Sequence, residues 1–113
     1  MSKTATGSFY ETQASLELKG LGWSVLERNY RSIHGEIDII ALKDGLLWFV
    51  EVRYRGDGSA WESISTKKKK SLTVTANKYL SQATCAYHEV DFVVCGIDAT
   101  GSDWLENAFD EVV

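Results

Sequence analysis

Two strand-like runs, Gly35-Glu36-Ile37-Asp38-Ile39-Ile40-Ala41 and Trp48-Phe49-Val50-Glu51-Val52-Arg53, flank Lys43-Asp44-Gly45 and leave this chain few ways to fold. Both runs are rich in Ile, Val, Phe and Trp, the residues that suit a pleated, half-buried surface. Asp-Gly supplies the left-handed residues of a two-residue hairpin turn. With Asp44-Gly45 as the turn, Lys43 faces Leu46, Leu42 faces Leu47 and Ile40 faces Phe49. Continued outward, the register sets Asp38 opposite Glu51 and Glu36 opposite Arg53. Opposed like charges destabilise a sheet. Such a pair persists if one carboxyl is protonated, if the site is well solvated, or if a cation lies between them. Arg53 is two residues beyond Glu51 and projects from the same surface.

A chain of 113 residues forms one domain, residues 1–113, with 1–7 read as a flexible lead-in. No apolar run reaches membrane-spanning length, and no signal peptide is expected. Cys85 and Cys95 lack metal-type spacing; reduced thiols in a cytoplasmic protein are expected, with Cys95 in the core. The net charge of −4 conceals an asymmetry: residues 1–82 carry all 12 Lys and Arg against nine acids, whereas 83–113 carry seven acids and no Lys or Arg. Overall acidity argues against a general nucleic-acid coat but allows a local basic surface.

A first helix is expected from Ser8 to about Leu21, with Tyr10, Ala14, Leu18 and Leu21 on one face and Gly20 and Gly22 at its end. Ser8 and Glu11 match a capping box; Glu11 also shares the face of Ala14 and Leu18 and could point over the sheet. Trp23–Tyr30 reads as a first strand, turning around 32–35, where His34 is given no role. After the hairpin, residues 54–61 read as a mobile glycine-rich loop in which Trp61 either stacks on a nucleobase or packs beneath the loop. A second helix is expected from Ile64 to Ser81, with Leu72, Ala76, Tyr79, Leu80 and Ala83 on its apolar face. Lys67-Lys68-Lys69-Lys70 near its start is either a solvated charge run or a phosphate contact, and Lys68, one turn before Leu72, extends the buried face. His88–Gly96 is a strand covered on both sides. Ser102 is expected to cap a last helix bearing Trp104, Leu105, Ala108, Phe109 and Val112. The order is helix, three strands, helix, strand, helix, an α/β domain.

Carboxylate oxygens are the ligands Mg²⁺ and Mn²⁺ prefer, commonly one or two of them together with substrate phosphate. Asp38 and Glu51, with Arg53 beside them, supply the parts for a metal-assisted phosphodiester displacement. Asp38 followed by Glu51-Val52-Arg53 resembles the PD-(D/E)xK nuclease signature, with Arg in place of Lys. A closer resemblance, over nearly the whole chain, is to the YraN-like family. Its marks are Gly7, Tyr10-Glu11 and Ala14; Arg28-Asn29-Tyr30-Arg31; the two hairpin strands with Arg55; Lys68, Ala76 and Tyr79-Leu80; Asp91; and Asn107-Ala108-Phe109.

The resemblance implies a restriction-endonuclease-like fold, a central mixed sheet related to that of Holliday-junction resolvases. It implies an Mg²⁺ or Mn²⁺ site built by Asp38, Glu51 and the Val52 carbonyl, with Glu11 contributing from the first helix. It also implies Lys68 facing the site or DNA phosphate; beside it, the charge run of Lys67, Lys69 and Lys70, and Arg55, are further expected DNA contacts. The expected activity is endonucleolytic cleavage of DNA, with branched DNA among the substrates, and analogy with resolvases leaves a homodimer open. Arg53 departs from the pattern: it stays protonated, so it stabilises charge but cannot act as a base. Together with the acidic C-terminal third, it favours a second reading, a nuclease-like module that binds DNA or a protein partner without cutting.

Overall fold

The computed structural model describes residues 5–56 and 58–110. The element order is α1 (Ala5–Gly20), β1 (Ser24–Ser32), β2 (Gly35–Lys43), β3 (Leu46–Tyr54), a 3-10 turn (Ser59–Trp61), α2 (Thr66–Gln82), β4 (Glu89–Asp98) and β5 (Gly101–Leu105). The strands form one mixed sheet in the order β1-β2-β3-β4-β5. Only β3 and β4 are parallel, because α2 lies between them as the crossover that parallel neighbours require.

The hairpin forms as its sequence predicts. Asp44 and Gly45 have φ of 51° and 81°, the paired left-handed residues of a twist-matched turn. The register runs through Leu42–Leu47 and Ile40–Phe49.

The two helices cover opposite faces. Ala14 and Leu18 of α1 pack on Ile39, Ala41, Trp48, Val50, Val93 and Cys95. Leu72 and Ala76 of α2 pack on Ile37, Ile40, Leu47, Phe49 and Phe92. Cys95 is buried and both cysteines are free thiols. Among the described residues no helix is long and apolar enough to cross a membrane.

The start of α1 differs from expectation, while its end falls at Gly20 and Gly22 as expected. The helix begins at Ala5, so Ser8 lies inside it and cannot be the N-cap; residues 1–4 of the expected lead-in lie outside the described residues. At the other end, Trp23 N–H bonds Leu18 O at 2.9 Å and Gly22 N–H bonds Lys19 O at 3.1 Å. That double bond pattern, with Gly22 at φ 93°, closes the helix on a left-handed glycine. Leu21 therefore leaves the apolar face and is 58 % exposed. For α2, Ser65 is the N-cap and accepts the Lys68 N–H at 3.1 Å.

The expected C-terminal helix is instead strand β5, antiparallel to β4, with Trp104 paired to Cys95 and Ser102 to Ile97. Trp104, Leu105, Ala108 and Phe109 have helical spacing, but Trp104 and Phe109 pack on opposite sides of the sheet. Trp104 stacks on Trp48 at 5.9 Å, and Phe109 on Phe92 at 4.5 Å. No single helix can serve both faces. The reversal into β5 is built by Asp98, whose Oδ1 accepts the Thr100 N–H at 2.8 Å and the Thr100 hydroxyl at 2.6 Å. Gly101 follows at φ 146°. Arg55 pins the turn: its guanidinium is 3.2 Å from Asp98 and 2.5 Å from Asp103, and it donates to Thr100 Oγ1 at 3.2 Å. The Thr100 hydrogen bonds and Arg55 hold the Asp98 carboxyl down to about 2. Val112 lies outside the described residues.

Strand alternation separates two neighbours that a helix would place together. Trp104→Ala should destabilise the protein by about 2–4 kcal/mol, whereas Leu105→Ser, at an exposed position, should stay within about 0.5 kcal/mol. Urea unfolding of the two variants measures this; equal losses would contradict the strand.

Candidate functional site at a split between two strands

The paired register of β2 and β3 stops at Ile39–Val50. The expected face-to-face pairing of Asp38 with Glu51, and of Glu36 with Arg53, does not extend the ladder. Instead Asp38 Oδ2 accepts the Val52 backbone N–H at 2.8 Å. A side chain thus takes a donor that a continuous ladder would satisfy with a carbonyl.

The cause lies in an irregularity shared by β1 and β2. Ile37 packs on the α2 side, yet Ile39, two residues on, packs on the α1 side. Strict alternation would keep both on one face. The break falls at Asp38, and across from it Asn29 has φ 54°, a conformation asparagine tolerates better than most residues. The Asn29 amide donates to Glu11 Oε1 at 2.9 Å and to Glu36 Oε2 at 3.0 Å. Arg31 Nε donates to Glu36 at 3.0 Å, which is where the partner expected of Arg53 went.

Glu11 does lie over the sheet, only 2 % exposed on the stripe of Ala14 and Leu18. Its carboxylate meets Asn29 and, at 3.9 Å, the Arg28 guanidinium. A buried carboxylate needs such partners.

Glu51 gathers two cations. Lys68 reaches it from the first turn of α2, with Nζ 3.3 Å from Oε1, and Arg53 Nη2 is 3.6 Å from Oε2. Arg53 is also tethered to the loop beyond β3, donating from Nη1 to Glu62 O at 3.1 Å. Glu51 Oε2 is buried and receives no hydrogen bond among the described residues. Burial pushes the Glu51 pKa above its ordinary 4.5 and the Asp38 charge adds to this, while Lys68 and Arg53 oppose it. Asp38, Glu51 and Lys68 open together on a cleft of about 460 Å³ whose far wall is the β1–β2 hairpin tip.

The structure therefore brings Asp38, Glu51, Val52, Arg53 and Lys68 together. Val52 turns its N–H toward Asp38, and an extended residue carries its carbonyl on the same side. Among the described residues no three His, Cys, Asp or Glu side chains cluster as metal ligands. Lys67 and Lys70 are exposed on α2, and the Lys69 ammonium lies 6.0 Å from the Phe109 ring. Arg55 is held away from the cleft, in the β4–β5 turn. Trp61 packs on the loop side, its ring so close to Gly96 that a Cβ there would lie 2.9 Å away.

Asn29, beside Glu11 and Glu36, and Ser65, capping the turn that carries Lys68, shape the site without being part of the sequence pattern that points to it. An asparagine inside a strand-like run, and a serine just ahead of a helix, were the available signals. Asp91 and Asn107 prove structural: Asn107 N–H bonds Asp91 Oδ1 at 2.9 Å, closing the tail onto the sheet.

Because burial disfavours the ionised Glu51, its contribution to stability is fully present below pH 4.5 and is lost as pH rises through the raised folded pKa. Glu51→Gln should therefore stabilise the protein at pH 7, by on the order of 1 kcal/mol. The gap between variant and native should narrow as the pH falls toward 4.5. Thermal unfolding across pH 4–8 reads this; a variant less stable than native at pH 7 would contradict it.

The family described as uncharacterised protein family UPF0102 matches residues 10–99. A UPF0102 protein of Sulfurihydrogenibium sp. is 39 % identical over 112 residues, covering 96 % of this chain and 97 % of the relative. One from Vibrio parahaemolyticus is 39 % identical over 116 residues, covering 97 % and 96 %. One from Pseudomonas putida is 37 % identical over 118 residues, covering 96 % of each. The match spans both hairpin strands, α2 and β4, so this chain belongs to the UPF0102 family, the YraN-like group whose marks it carries.

Proposed function

We propose that this protein has a restriction-endonuclease-like fold and is a metal-dependent DNA endonuclease that hydrolyses phosphodiester bonds in the cleft at the β2–β3 split. The observation that carries the reading is the convergence of Asp38 and Glu51 with the Lys68 ammonium on one open cleft. The donor set fits a hard cation: two carboxylates and the Val52 carbonyl are oxygen ligands, and Glu51 Oε2 is buried without a hydrogen bond. When bound, Mg²⁺ or Mn²⁺ would lower the pKa of a water and neutralise the phosphate.

The chain's own groups do the rest. The Val52 N–H fixes the direction of the Asp38 carboxylate. Lys68 stands where negative charge would build on a phosphate beside Glu51, and its compact ammonium stabilises that charge. Arg53 orients Glu51 and adds positive charge without acting as a base. Glu11 acts as a positioning residue, holding Asn29 where the strand breaks. Lys67, Lys69 and Lys70 extend the positive surface along α2 for phosphate contact, while Arg55 serves the β4–β5 turn.

A second reading is a module that binds DNA or a protein without cutting. It is favoured by the two cations already matched to Glu51, which neutralise the carboxylate with no metal.

Incubation with branched and linear DNA in Mn²⁺ decides between them. The native protein should cleave; Asp38→Ala and Lys68→Ala should each lose about 10²–10³-fold in rate, and Arg53→Lys should cleave at least as fast as native. Equal cleavage by Asp38→Ala would overturn the nuclease reading. Salt-sensitive binding without cleavage in native and Arg53→Lys alike would establish the module.

A further inference from the structure

The hairpin tip between β1 and β2 walls the carboxylate cleft from Arg31 to Glu36. At its apex Ile33 is 97 % exposed, the most exposed large apolar side chain among the described residues. A lone surface isoleucine is ordinary. This one is presented by a braced loop. Ser32 Oγ is 2.7 Å from Thr75 Oγ1 and accepts the His34 N–H at 3.0 Å. Ser71 Oγ donates to His34 O, and Lys78 Nζ donates to Arg31 O at 2.9 Å. Gly35 sits so tightly on Ser71 that a Cβ would collide with the hydroxyl.

Residues on both sides of Ile33 are thus tied to α2, the helix that carries Lys68. The apex is held at a set position relative to Asp38, Glu51 and Lys68, and Ile33 projects from it almost fully exposed among the described residues. Ile33 lines the same cleft as Asp38, Glu51 and Lys68, so a phosphate held beside Lys68 would bring its neighbouring bases toward the apex.

We propose that Ile33 is a wedge that enters DNA beside the phosphate held in the cleft, where base stacking is already interrupted. This rests on the nuclease reading only for the placement of DNA in the cleft, and it names branched or locally unpaired DNA as the favoured substrate class. Apolar side chains that enter base steps must unstack them, and the cost is least at a branch or unpaired base. Selectivity follows from that difference, without any base-specific hydrogen bond.

Binding measured with EDTA present separates this from catalysis. The full chain is titrated against a four-way junction and a linear duplex, each carrying 2-aminopurine, at the branch or at the matching internal position. Native protein should prefer the junction and raise its fluorescence. Ile33→Ser should weaken junction binding roughly tenfold, as loss of one buried aliphatic contact implies, and abolish the fluorescence rise, with linear binding changed by less than about twofold; Ile33→Leu should behave as native. Equal junction affinity for native and Ile33→Ser, or no binding by native, overturns the wedge. Wedge behaviour with no cleavage in Mn²⁺ would remove only the nuclease reading, and cleavage indifferent to Ile33→Ser would remove only the wedge.

Discussion

The hydrogen bond from the Val52 N–H to Asp38 Oδ2 is the hinge of this structure. A hairpin as strongly specified as β2–β3 would ordinarily zip to its ends. Here a carboxylate takes the place of a backbone acceptor, and the strands can part without orphaning a buried donor, which would cost about 1–3 kcal/mol. Asp38 and Glu51, on the two sides of the split, line the cleft together with Lys68 and the β1–β2 turn. The resolution of the opposed charges is equally local: Asp38 finds an N–H, and Glu51 finds Lys68 and Arg53.

Support for that hinge comes from both layers. From α1, Glu11 meets Asn29, whose left-handed backbone lies across β1–β2 from Asp38. From α2, Ser65 caps the turn that aims Lys68, and Ser71 and Thr75 brace the hairpin tip. Stability is given up in one place: burial, with the Asp38 charge, disfavours the ionised form of Glu51, and Lys68 and Arg53 offset this only in part.

Much of the fold was legible in residues whose effect is local. Asp44-Gly45 sets the hairpin register through Ile39–Val50, the apolar run of β4 marks a strand covered on both faces, and Leu72 with Ala76 marks the face of α2. The C-terminal segment misled because its aromatic spacing suits a helix, while the deciding partners, Trp48 for Trp104 and Phe92 for Phe109, lie far along the chain on opposite sides of the sheet. Ser8 misled for a nearer reason: a capping box is only a cap if the helix starts there, and this one starts at Ala5.

By itself, the sequence determined that Asp38, Glu51 and Arg53 come from adjacent strands of one hairpin, because turn chemistry and alternation act over a few residues. Only the tertiary structure decided how they are used. Arg53 is drawn to Glu62 O, Glu36 to Arg31, and Lys68 arrives from α2 to meet Glu51. Those choices depend on how a crossover helix seats on the sheet and on where a strand breaks its alternation. Both are set by packing between residues distant in the chain, which no local pattern encodes.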